Sequence, residues 1–254
     1  MLKPFRRFCF YTLALCITSS PFADCDAKAS PIDPPEKVIV LHQKHRWLGK
    51  VIVYCNPAHV RVESCESEGA LVANAPDWRV QIYDPKRKLT CDNAREKFFE
   101  SGFTGPFQEG GLIKTKLQLI SRGMLGRIPG NCYIFSRATN STYWTLRSSV
   151  TGTACQVLQA LYECPVAPGI PLAIETQDAK KRSGSDNMLV FAEGGGAELT
   201  TSKCETGTIA RSKFNYMSGY KKARFGTDVL VNKKIKDDLE TGISEFGLGL
   251  GKTK

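Results

Sequence analysis

Residues 49–83, GKVIVYCNPAHVRVESCESEGALVANAPDWRVQIY, are the stretch on which the fold turns. Val60 and Val62 alternate with His59, Arg61 and Glu63, and Trp78, Val80 and Ile82 alternate with Arg79, Gln81 and Tyr83. A period of two marks a sheet with one buried face and one wet face. Asn56-Pro57 and Asp84-Pro85 punctuate the runs with turn chemistry. The stretch therefore predicts a hairpin and two more strands of one antiparallel sheet, and it holds no catalytic constellation.

Outward from this sheet, the N-terminus speaks to compartment. Residues 1–7 (MLKPFRR) carry three positive charges, residues 8–17 (FCFYTLALCI) form a short apolar run, and Ala27-Lys28-Ala29 follows as an A-x-A site. That is the pattern of a secretory signal peptide over residues 1–29, with cleavage after Ala23 as a second option. The apolar run is too short to span a bilayer, and no other run approaches spanning length, so the processed chain is expected not to cross a membrane. Cys25 follows Phe22-Ala23-Asp24, a poor approach to a lipidated cysteine. The expected localisation is exported, either periplasmic or secreted.

The formal net charge of +10 favours acidic partners more than a neutral chain would, with an evenly solvated basic surface as the preferred reading, and loss of residues 1–29, with four basic and two acidic side chains, lowers it to +8. Of ten cysteines, seven lie beyond residue 29, at Cys55, Cys65, Cys91, Cys132, Cys155, Cys164 and Cys204. In an exported chain they predict disulfides, with no connectivity legible. None of the spacings is C-x-x-C and the histidines are not interleaved with them, so a zinc site is not expected.

Along the chain, residues 30–36 (SPIDPPE) read as an extended leader and residues 37–41 (KVIVL) as a first strand. His42 and His45 fall in what reads as a solvated basic turn between strands. Residues 86–90 predict a further strand, and Asn93 with Glu96 resembles a capping box opening a short helix that Gly102 ends. A Gly/Pro loop over 104–111 follows, then strands over 116–120, 132–136 and 143–147. Asn140-Ser141-Thr142 matches a glycosylation acceptor, but a polar hairpin turn is the preferred reading. Residues 153–164 are the clearest helix, with Ala154, Val157, Leu158 and Leu161 on one stripe and Pro165 as its stop. A strand over 169–176, a polar turn over 179–187, strands over 188–192 and 198–203, and short strand-like runs over 213–216 and 228–231 complete the sheet. Residues 233–246 read as a helix and 247–254 as a flexible tail.

Candidate chemistry is thin. Gly247 to Thr253 superficially resembles a phosphate-binding loop, but Phe246 stands where glycine is needed and no helix follows. There is no G-x-S-x-G elbow, and the carboxylates lack diagnostic spacing; those at turns, such as Asp77 and Asp84, are explained by local hydrogen bonds to backbone. A cysteine paired with His59 in space is a minor option. Trp78, Arg79, Tyr83, Lys86 and Arg87 do not read as a nucleic-acid platform, because aromatics on a buried face are core. No cofactor and no metal are implied.

The order Val60-Arg61-Val62, then Ala75-Pro76-Asp77-Trp78, then Asp84-Pro85, then a helix, Gly169-Ile170-Pro171-Leu172 and a phenylalanine run leading to Ser218-Gly219-Tyr220-Lys221, resembles the bacterial lipoprotein-carrier-like superfamily over about residues 38–231. The resemblance implies a mainly β (α+β) fold in one domain, 37–246: a strongly curved antiparallel sheet forming an unclosed half-barrel, with a few helices on its concave face. It also implies a cavity for acyl chains or a lipoprotein. Val60, Val62, Trp78, Val80 and Ile82, with Val157, Leu158 and Leu161 of the helix, are the expected lining, and burial of a chain there is worth ~0.8 kcal/mol per CH₂. The expected function is thus a non-enzymatic binder of an apolar ligand. The competing class is a structural or regulatory module that binds an envelope protein and holds no ligand; a hydrolase is third. An accessible apolar groove favours the first, and a face filled by its own side chains excludes it.

Overall fold

The computed structural model describes residues 33–103, 111–136, 140–176 and 197–230. The expected signal peptide, most of the expected leader, the turn expected over 179–187, the strand expected over 188–192, the helix expected over 233–246, the expected tail and nearly all of residues 104–111 lie outside the described residues.

The first six strands form a meander: β1 (Pro35–His45), β2 (Gly49–Cys55), β3 (His59–Ser64), β4 (Ala70–Asn74), β5 (Val80–Asp84) and β6 (Leu89–Asn93). Helix α1 (Arg95–Ser101) leads to a second meander, β7 (Gln118–Leu125), β8 (Ile128–Ser136) and β9 (Asn140–Leu146). Helix α2 (Thr153–Leu161) is followed by β10 (Ile170–Thr176) and the long β11 (Ala197–Ala210). β11 returns to pair with β1 from Pro35↔Ala210 to His45↔Leu199, joining the two meanders. With the two-residue β12 (Lys221–Lys222) laid on β6, the sheet has the order β12-β6-β5-β4-β3-β2-β1-β11-β10-β9-β8-β7 and, among the described residues, does not close. Among the described strands, β12 on β6 is the one parallel pair.

Curvature follows from what α2 touches. It packs on both β3 and β10, four strand steps apart in the sheet. A flat sheet would separate them by about 19 Å, more than the ~10 Å width of a helix. The sheet therefore bends around α2, which also packs against α1. This is the expected unclosed half-barrel with helices on its concave face.

Local expectations met several corrections. Asn93 does not cap α1: Ala94 takes the N-cap position with no side-chain hydrogen bond, Glu96 pairs with Arg95, and the Asn93 amide reaches the Cys91 sulfur instead. The run at 213–216, and the run at 228–231 as far as residue 230, are not strands. Arg211–Phe214 is a 3-10 turn and Thr227–Leu230 is a short helix, α3. Ser141 and Thr142 belong to β9, so the acceptor triplet is not a turn. The basic turn assigned to His42 and His45 is β1 itself, bulged between His42 and Gln43.

The Asp84-Pro85 turn behaves as its composition predicts. The Asp84 carboxylate accepts from the Lys86 and Arg87 amides at 2.9 Å each and from Arg87 Nε at 2.6 Å. Burial alone would raise its pKa, yet the hydrogen bonds and charge of Arg87 hold it below the usual carboxylate range. Asp84→Ala strips three acceptor contacts from this turn and is expected to cost about 1 kcal/mol of stability in urea unfolding.

Candidate functional site

The concave face is the first place to look. Val60, Val80, Val157, Leu158, Leu161 and Ile82 are 0% exposed, Val62 is 2% and Trp78 is 7%. All eight belong to one core cluster that also takes in Phe98 of α1 and Phe103 beyond it. The structure thus brings the expected lining residues together, but as packing against one another. Side chains at 0–2% exposure have no water-sized space beside them. Trp78 arrives by a different route from the one its alternation suggested. It sits before β5 in the turn that holds the cis Ala75-Pro76 bond, at a positive φ of 53°, with its amide donating to Asn74 O at 2.8 Å.

Within this core lies a polar chain that the sequence reading missed. Tyr162 Oη donates to Gln43 Oε1 at 2.7 Å, and Gln43 Nε2 donates to Pro171 O at 2.8 Å and Thr201 Oγ1 at 2.9 Å. Thr201 Oγ1 in turn donates to Leu172 O at 2.6 Å. His45 packs its ring on Tyr162 with centroids 5.1 Å apart, and its Nδ1 accepts from the Trp47 amide at 3.4 Å. Burial, aided by the Arg46 charge, pushes the His45 pKa down to about 3, so the ring is neutral. The chain cross-links β1, β10, β11 and the end of α2. It satisfies buried polar atoms and aims none of them at solvent, which is a structural role.

Over β3 to β5 the opposite, convex face is not wet as the alternation predicted. Val38, Ala70, Val72, Tyr83 and Phe214 form a second core there, supported by Ile209, Tyr216, Met217 and Tyr220. Residues 211–220 strap across β3 to β5. Asn74 Nδ2 donates to Phe214 O at 2.7 Å, Gln81 Nε2 to Met217 O at 2.9 Å, and the Met217 amide to Gln81 Oε1 at 2.5 Å. Arg61, only 7% exposed, donates to Glu63 at 2.6 Å, to Tyr83 Oη at 2.6 Å and to Lys213 O at 2.5 Å. Arg79 lies 4.4 Å over the Tyr216 ring. The strap therefore engages Arg61, Asn74, Arg79 and Gln81 of this face.

Nucleophilic chemistry gains no support from the thiols raised by burial. Cys55, Cys65, Cys91, Cys155 and Cys204 carry free thiols, and no disulfide joins any two of the described cysteines. Burial pushes the Cys55, Cys91 and Cys204 thiols up, and Cys155 to about 11. Thiols so raised are poor nucleophiles at neutral pH. His59 is not their partner: it stacks on Phe214 at 4.9 Å and meets Asn74 Oδ1 at 2.9 Å, in the second core, whereas Cys55 lies in the first. Among the described residues, no three His, Cys, Asp or Glu side chains are grouped to hold a metal ion, and no helix is long and apolar enough to cross a membrane.

What remains exposed is the sheet end at β7. Leu119, Ile120 and Met124 are 41%, 46% and 53% exposed, three of the four large apolar side chains on the described surface. Among the described residues β7 pairs only with β8 and so forms an edge of the sheet.

No family model and no curated protein matches the chain. Among solved structures, an uncharacterized conserved protein from Thermus thermophilus aligns with a TM-score of 0.39 at 12% identity, over 76% of this chain and 91% of that one.

Proposed function

We propose that this protein is an exported, non-enzymatic interaction module of the cell envelope, and that its half-barrel is a scaffold, not a container for an acyl chain. The observation that carries this reading is the filled concave face. The side chains that would line a cavity are at most 7% exposed and pack against α1 and α2. Both faces of the β3–β5 region are sealed, one by the helices and one by the 211–220 strap, which is the construction of a rigid platform. The raised thiols and the self-satisfied polar chain fit a protein without a reacting group in its interior.

The test is acyl-chain uptake. The purified full chain, titrated with a fluorescent fatty acid, is expected to show no saturable one-to-one binding, and gentle extraction of protein from its own envelope is expected to release no stoichiometric lipid. Saturable uptake that a bulkier Val62→Phe blocks would overturn this reading and restore the carrier.

A further inference from the structure

We propose that the β7–β8 end of the sheet is a docking surface for an anionic lipid bilayer. Between Glu109 and Glu163 the chain contains no aspartate or glutamate, yet it contains Arg137 and, among the described residues, Lys114, Lys116, Arg122, Arg127 and Arg147. All five of the described cations are exposed, and among the described residues none is in an ion pair. Strands β7, β8 and β9 carry no acid at all, and the next strand inward, β10, contributes only Glu175, which is 7% exposed. On this end, whose three outer strands carry no acid, stand Leu119, Ile120 and Met124.

That combination selects the partner. Cations next to the headgroups and apolar side chains reaching the acyl boundary are the two terms of interfacial binding. A polyanion such as nucleic acid or polysaccharide would use the cations and leave the three apolar side chains in water. A second copy paired edge to edge would set like charges against like across the two-fold axis. The bulge between Leu119 and Ser121 also breaks the regular row of backbone groups that an added strand needs. A lipid surface has none of these conflicts. The proposal deepens the interaction-module reading, since it rests on the chain meeting an envelope membrane.

Flotation of the full chain with vesicles tests it. Binding is expected to vesicles of phosphatidylcholine and phosphatidylglycerol in equal parts, not to phosphatidylcholine alone, and is expected to weaken as salt rises. Arg122→Glu with Arg127→Glu should weaken binding by at least roughly thirtyfold, since each cation near the surface is worth about 1 kcal/mol. Replacing Leu119, Ile120 and Met124 together with serine should weaken it roughly tenfold. The control is Lys221→Glu with Lys222→Glu on β12, which makes the same change of net charge at the opposite edge and should leave binding within about twofold. All of these positions are exposed, and unchanged thermal unfolding confirms that the variants fold.

No flotation, equal flotation with both vesicle types, or an equal loss in the β12 control would each overturn the proposal. So would lipid-free dimerisation abolished by the serine variant, which would make the edge a contact between copies. Failure here leaves the filled core untouched, whereas acyl uptake by the free protein would overturn the module reading without any change in flotation.

Discussion

Replacing Leu161 with alanine is expected to lower the free energy of unfolding by about 3 kcal/mol, within the ~2–5 kcal/mol range for buried leucines. Leu161 is 0% exposed on α2 and lies in the same core cluster as Val60, Val62, Val80 and Ile82 of the sheet. Truncation removes transfer energy and leaves a void that the bent sheet cannot collapse to fill, because β3 and β10 are held by their own ladders. The measurement also decides between functions. In an open carrier, a leucine facing an empty groove would already lack neighbours, and its loss would cost under about 1 kcal/mol. Urea unfolding of the alanine variant at neutral pH therefore reads directly whether the concave face is filled. A cost near zero would contradict the packing described above.

The sheet was legible from residues 49–83 because alternation is a short-range signal that the chain states strand by strand. The amphipathic helix at 153–161 was equally plain, and its stripe of Ala154, Val157, Leu158 and Leu161 is buried as expected. Cys155, Gln159 and Ala160 are buried as well, because the curved sheet and α1 enclose the helix on more than one side. That enclosure is a long-range fact with no local signature. The convex face shows the same limit. Arg61, Gln81 and Tyr83 look solvent-facing from their neighbours, and only the arrival of residues 213–217 more than 130 positions later buries them. Phe214 and Tyr216 alternate like a strand, yet the backbone forms a 3-10 turn and then hydrogen-bonds through side chains, since β3 to β5 already have their ladder partners. The acid-free stretch from Lys114 to Arg147 stood in the sequence throughout. What it lacked was the fold, which sets its cations and its exposed apolar side chains on one edge.

Lowering the pH from 7 to 5 is expected to remove about 2 kcal/mol of stability through His45 alone, since each pH unit below the unfolded pKa is worth about 1.4 kcal/mol. The sign follows from proton binding. Burial lowers the folded pKa from 6.5 to about 3, so in this window the unfolded chain takes up a proton that the folded chain refuses. Stability is full above the ordinary histidine pKa and falls as the pH drops towards the folded value. Asp33, Asp84, Glu96 and Glu205 also have lowered pKa values, but their contributions are lost only as the pH falls below the ordinary carboxylate range. Over the interval from pH 7 to 5, comparison with a variant lacking His45 therefore reports the buried imidazole. His45→Gln keeps a neutral acceptor near the Trp47 amide and should flatten the slope of unfolding free energy against pH, at some cost in absolute stability from the lost contact with Tyr162. Denaturant midpoints for both proteins across this range are the required data. An unchanged slope in the glutamine variant would mean that water reaches the ring, and with it that β1 and α2 do not seal the core where Gln43, Tyr162 and Thr201 meet.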